Sequence, residues 1–158
     1  MRILLILFLI VAQPCSAYAD DDQHERWGIT VWGLSYHVST SIDYAASNWG
    51  LGLRYYPIRR RLFVEGDALR NSNRGLVLPV SFGAEFGMGS ISECKLTAIA
   101  ALTAAYYQNP RRDTTEIKVG PVPGVSIRCG RFKTNVLLVL SKSDTPLSAI
   151  VASLTIFL

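Results

Sequence analysis

The sequence predicts an all-β protein, an eight-stranded antiparallel up-and-down barrel of the transmembrane kind. Three observations carry that expectation. Beyond the N-terminal segment, side chains alternate with a period of two in eight stretches of about ten residues, each closed by turn residues. No stretch in this part of the chain offers the ~20 continuous apolar residues that a spanning helix needs. The two faces of the alternating stretches are also unequal. One carries large apolar residues with aromatics at its ends, as a lipid-facing strand between two interfacial girdles requires, and the other is small and mixed. A water-soluble barrel would reverse those faces. The chain is 158 residues long, 49% hydrophobic and 18% charged, which is one domain and too apolar for disorder. Its net charge of +4 is too weak to argue for nucleic acid, and two His with three Cys leave no set for a multi-ligand zinc site.

The chain opens with Met1-Arg2, an apolar run over 3–12, and Ser16-Ala17-Tyr18-Ala19. A short basic start, about ten apolar residues and an A-x-A site read as a secretory signal peptide over 1–19. The barrel domain is then 20–158, in an oxidising compartment where its two remaining cysteines can pair.

The strands are expected at 27–38, 48–57, 62–71, 75–87, 94–107, 116–128, 131–141 and 147–157. On the first, Trp32, Leu34, Tyr36 and Val38 are expected outward, with Val31, Gly33, Ser35 and His37 inward. The second places Trp49, Leu51, Leu53 and Tyr55 against Asn48, Gly50, Gly52 and Arg54. The fourth gives Leu76, Leu78, Val80, Phe82 and Phe86 outward, with Val77, Pro79, Ser81 and Glu85 inward, before a break at Gly87-Met88-Gly89-Ser90. The sixth gives Ile117, Val119, Val125 and Ile127 outward against Lys118, Gly120, Val122 and Gly124. The third is placed by its inward charges; the fifth, seventh and eighth are apolar on both faces and are placed by their turns.

With both termini at one end, the inward charges sort by depth. Arg54, Glu65, Asp67, Glu85, Lys95, Arg128 and Lys133 fall toward the end that holds the termini. Buried charges persist when matched, so a plug of opposite signs is expected there. The other half is lined by small or apolar residues such as Gly33, Gly50, Leu69, Val77, Pro79, Ala101, Gly120, Val122 and Val151. An apolar pocket with few polar groups suits a hydrocarbon chain. Pro79, and Pro121 with Pro123, cannot donate to a ladder and should open gaps between strands three and four or among strands five to seven. Cys94 and Cys129 are equidistant from the break at 109–113, so they should oppose each other on strands five and six and form a disulfide.

Candidate chemistry gathers at the outer rim. His37 points inward at the end of the first strand, level with Arg70-Asn71-Ser72-Asn73-Arg74 after the third. A hydroxyl needs a neighbouring base, and imidazole serves near neutral pH. His37 and Ser72 form the candidate pair, with Asn71 to orient or to donate to an oxyanion, and Ser35 and Ser39 as competing hydroxyls. Arg74, Arg111, Arg112 and Lys142 sit on outer breaks, where they could meet phosphates.

These motifs resemble the outer-membrane lipid A palmitoyltransferase family. The resemblance rests on Tyr36-His37 on the first strand, Arg70-Asn71-Ser72 after the third, Asn48-Trp49-Gly50-Leu51-Gly52-Leu53 between them, and Val119-Gly120-Pro121-Val122-Pro123. It implies an outer-membrane enzyme that moves an acyl chain from a phospholipid to lipid A. His37 would be the base, Ser72 and Asn71 its partners, and the acyl tail would lie in the upper lumen. No cofactor and no metal are implied, and a monomer is expected. Asn71 stands where the family has Asp, and the family's N-terminal amphipathic helix has no counterpart. A second resemblance, to the lipid A 3-O-deacylase family, rests on His37-Val38-Ser39, a His-x-Ser motif placed at the opposite end of the chain from that family's. A non-enzymatic structural or binding barrel is the remaining alternative.

Overall fold

The computed structural model describes residues 26–37, 47–58, 61–71, 74–110, 113–140 and 147–158. The expected signal peptide over 1–19, Val38, Ser39, Ser72, Arg111, Arg112 and Lys142 lie outside the described residues.

The chain forms β1 (Trp27–His37), β2 (Ser47–Ile58), β3 (Leu62–Arg70), β4 (Leu76–Ile91), β5 (Cys94–Asn109), β6 (Thr114–Cys129), β7 (Phe132–Leu140) and β8 (Leu147–Phe157). Each strand pairs antiparallel with the next, and β8 returns to β1, so the sheet closes on itself and has no free edge strand. Below, "upper" denotes the end that carries His37 and "lower" the end that carries Trp27 and Phe157.

Two of the register shifts in this barrel each correct an expectation. On β1 the register with both neighbours shifts between Trp32 and Leu34, which inserts Gly33 as the extra residue. An added residue flips every side chain beyond it to the other face. Thr30, fully buried, and Trp32 therefore face the lumen below the bulge, while Ser35 and His37 face it above. Val31 is exposed, contrary to the uniform alternation read from sequence, and Gly33 is exposed on the bulge itself. On β4 the expected break at Gly87-Met88-Gly89-Ser90 is a bulge within a continuous strand. The extra residue is Met88, Gly89 takes φ +142°, and the chain turns only at Ser92-Glu93.

The lower bore buries polar side chains, and the outer face of the barrel is apolar. The buried side chains include Thr30, Arg54, Glu65, Asn135, Lys133 and Thr155, while Trp49, Leu51, Val80, Phe82, Leu102 and Ile117 are each more than half exposed. The lower lumen is closed by Tyr56, Phe63 and Phe157 around the buried charges, and Ile99 and Leu137 continue this core up to the cavity. Phe157, the last strand residue, points into the bore: its ring centroid lies 5.8 Å from that of Tyr56, and the Arg128 guanidinium sits 4.1 Å over it. The disulfide Cys94–Cys129 ties β5 to β6 at the lower rim, where the two residues fall in register, as the spacing predicted.

Candidate functional site, a lumenal cavity

Four of the seven charges expected in the lower lumen, Arg54, Glu65, Glu85 and Lys133, are buried and joined, and a fifth, Asp67, is buried apart from their network. The Arg54 guanidinium donates to Glu65 Oε2 at 2.6 Å and to Glu85 Oε1 at 3.3 Å. Lys133 Nζ pairs with Glu85 Oε1 as well and lies 3.2 Å from Tyr56 Oη. Tyr56 Oη donates to Glu85 Oε1 at 2.8 Å. Thr30 Oγ1 donates to Glu65 Oε1, and Asn135 Nδ2 donates to Ser153 Oγ and Thr155 Oγ1 at 3.1 Å. Asp67 stands one step higher and accepts the Trp32 indole N–H at 2.8 Å. Two charges fall outside this plug. Lys95 is exposed, because its strand extends below the closed bore, and half-buried Arg128 stacks on Phe157 while donating to the Gly130 carbonyl. A paired network of this kind is costly to desolvate and holds only while each charge keeps its partner.

Above the plug lies a cavity of about 500 Å³. Its base is formed by Arg54, Phe63, Glu65, Asp67 and Trp32, and its upper wall by Val77, Pro79, Ala101, Val122, Leu137 and Val151. It reaches the upper end of the barrel, where His37, Asn48, Asn71, Tyr107, Lys118 and Ala149 surround it. Side-chain size explains the division. Bulky residues normally fill an eight-stranded bore, and here Ala101, Ala105 and Gly120 stand on the upper lumenal face of β5 and β6.

The residues singled out from sequence distribute as follows. His37 is half-buried at the rim, opposite Ala149 in register, and lines the cavity. Leu69, Val77, Pro79 and Gly120 line it too. Gly50 is buried between strands beside Leu69 and is not a lining residue; Gly33 lies outside, on the bulge. Arg74, exposed at φ +68° in the β3–β4 turn, is also not in the lining. Asn71 lines the rim, but its side chain organises that turn: Oδ1 accepts the Gly75 N–H at 2.9 Å and Nδ2 donates to the Gln108 carbonyl at 2.7 Å. Ser35 is buried one step below His37 and accepts the Asn48 amide at 2.6 Å.

Among the lining residues not foreseen as site members are Tyr107, Trp32 and Asp67. Tyr107 stands at the rim with the Lys118 ammonium 4.2 Å over its ring. The alternation Ala101, Thr103, Ala105, Tyr107 contained that signal. Trp32 and Asp67 form a pair across the lumen that the β1 bulge creates, and no periodic reading of β1 would have found it.

The proline expectation takes a definite form. The β5–β6 ladder runs unbroken past Pro121 and Pro123. On the other side of β6, pairing with β7 ends at Gly124↔Leu137, so the upper parts of β6 and β7 are not in register contact. Proline has no N–H to give that ladder. Around Pro79 the β3–β4 ladder also skips from Gly66↔Val80 to Leu69↔Val77.

No protein-family model matches the chain, and no curated protein matches it either.

Proposed function

We propose that this protein is an outer-membrane barrel that holds a lipid acyl chain in its upper lumen and transfers it at the rim beside His37. The cavity carries this reading: about 500 Å³ with an apolar upper wall, closed below by ions and reaching the strand ends where His37 stands. Such a shape accommodates a tail and leaves its ester near the imidazole. The apolar outer face, with Trp49, Leu51, Val80, Phe82 and Leu102 exposed, is what a lipid-facing wall requires. The unpaired upper stretch between β6 and β7 offers the tail a sideways path from the bilayer.

In this reading the donor is a phospholipid ester and the acceptor a hydroxyl of lipid A or a similar lipid. His37 takes the proton of the attacking hydroxyl, the new ester bond forms as the old one breaks, and the proton passes to the departing alkoxide, releasing a lysophospholipid. Ser72, Arg74, Arg111 and Arg112, singled out from the sequence, are the candidates for holding the ester and the acceptor's phosphates.

Mass spectrometry of lipid A from cells with and without the protein tests this reading. The expected result is an added acyl mass that falls about 10²–10⁴-fold in His37→Ala while the barrel still folds. A lost acyl chain would indicate the deacylase reaction, and lipid unchanged by the folded wild type would indicate a structural barrel.

A further inference from the structure

The base of the cavity is not simply an ionic lid. Two buried polar atoms there have no protein partner, Asp67 Oδ2 and Arg54 Nε, and both residues line the cavity. Asp67 is 7% exposed and Arg54 1%. Every other polar atom of these two side chains is engaged: Oδ1 of Asp67 by the Trp32 indole, and the terminal nitrogens of Arg54 by Glu65, Glu85, Tyr56 and Asn135. A buried acceptor or donor left unmatched costs about 1–3 kcal/mol, so two in one place call for an explanation.

The position of Asp67 is also prepared by its neighbours. Its register partner on β2 is Gly52, and a Cβ at that position would overlap the Asp67 carboxylate. Two residues along, Arg54 opposes Glu65, which makes Arg54 and Asp67 diagonal neighbours on the lumenal face of one strand pair. The orphan acceptor and the orphan donor thus belong to two residues that line the base of a cavity whose upper wall is apolar.

Resting on the acyl-chain reading above, we propose that the cavity selects an acyl chain bearing a hydroxyl, which donates to Asp67 Oδ2 and accepts from Arg54 Nε. A hydroxyl carries both functions in one small neutral group. An ammonium would satisfy Asp67 but meet the Arg54 guanidinium as a like charge, and a plain methylene would satisfy neither. Depth fixes where the hydroxyl lies. The Trp32 that holds Asp67 is five positions below His37 on β1, about 15 Å of strand at about 3.3 Å per residue. With the ester at the rim, the hydroxyl belongs in the middle of the chain or beyond, not next to the carbonyl.

The test is equilibrium binding to the full-length mature protein in lipid nanodiscs, using chain-matched fatty acids: plain, α-hydroxy, β-hydroxy, mid-chain hydroxy, and ω-amino. The mid-chain hydroxy acid should bind about tenfold or more tightly than the plain and β-hydroxy acids. Asp67→Asn keeps the shape and the Trp32 contact but turns the free acceptor into a donor, and it should erase that preference, so that plain and mid-chain hydroxy acids bind the variant alike. Equal binding of plain and hydroxylated chains by the wild type would overturn the proposal and leave the acyl-chain reading standing. Preference for the amine would overturn it in favour of a cation site. No binding of any chain would overturn both. If Asp67→Asn fails to fold, the wild-type series still decides.

Discussion

Below the level of Asp67 the bore is filled to closure by Arg54, Glu65, Glu85, Lys133, Tyr56 and Phe63; above it, the same eight strands leave about 500 Å³ open. The same strands run through both halves, and side-chain choice makes much of the difference. In the lower half long charged and aromatic residues meet across the bore, and glycines give them room: a Cβ at Gly83 would strike the Phe63 ring. In the upper half the small residue is not balanced by a large one opposite. A Cβ at Gly120 would meet nothing within 4 Å. One half is filled and holds the barrel together, and the other is left open.

The sharpest way to break this contrast is to remove a charge from the lower half. Arg54→Met takes from Glu65 the cation it pairs with and leaves Glu85 with Lys133. Breaking a buried network from one side costs about 3–5 kcal/mol. Urea unfolding in vesicles should show a loss of that size, whereas a change under about 1 kcal/mol would mean that water penetrates the plug and screens it.

A smaller effect is expected at the side of the cavity. Strand β6 presents a complete ladder to β5 and a shortened one to β7, although both edges belong to the same residues. Replacing Pro121 and Pro123 together by Thr restores two N–H groups to the β7 side. The upper amides of β7 should become protected from hydrogen exchange, and uptake of an acyl chain from nanodisc lipid should slow about tenfold, the equivalent of roughly one tertiary hydrogen bond. Protection without slowed uptake would place the path over the upper rim.

Much of the fold was legible because a barrel strand writes its face into every second residue. Trp49, Leu51 and Leu53 against Arg54 identify an outward and an inward side with no further information, and the disulfide follows from the equal spacing of Cys94 and Cys129 about one turn. What escaped was whatever breaks the period. Gly33 as an extra residue moved Trp32 into the lumen, and with it the partner of Asp67, so the floor of the cavity could not be read from β1. Met88 in a bulge looked like a turn because two glycines flank it. Phe157 lies on a strand that is apolar on both faces, and only the fold places it in the lower core. At the rim, Asn71 drew attention by its neighbours in sequence, yet its amide is spent on Gly75 and Gln108, a bond pattern that only the folded turn reveals. The residues at the centre of the proposed chemistry divide the same way: His37 was visible as an inward residue at a strand end, while Asn48, Tyr107 and Lys118 become its cavity companions only when the barrel closes.

The central claim is that a lipid tail occupies the upper lumen rather than only the outer wall. The most direct measurement is methyl NMR of the protein in nanodiscs with protonated acyl chains, read for contacts to valine methyls. Val122, Val139 and Val151 line the cavity, whereas Val80 and Val125 face outward. The account predicts acyl contacts to both sets in the wild type, with the inner set lost in Gly120→Phe, whose ring would fill the cavity. Contacts confined to Val80 and Val125 in both proteins would contradict it.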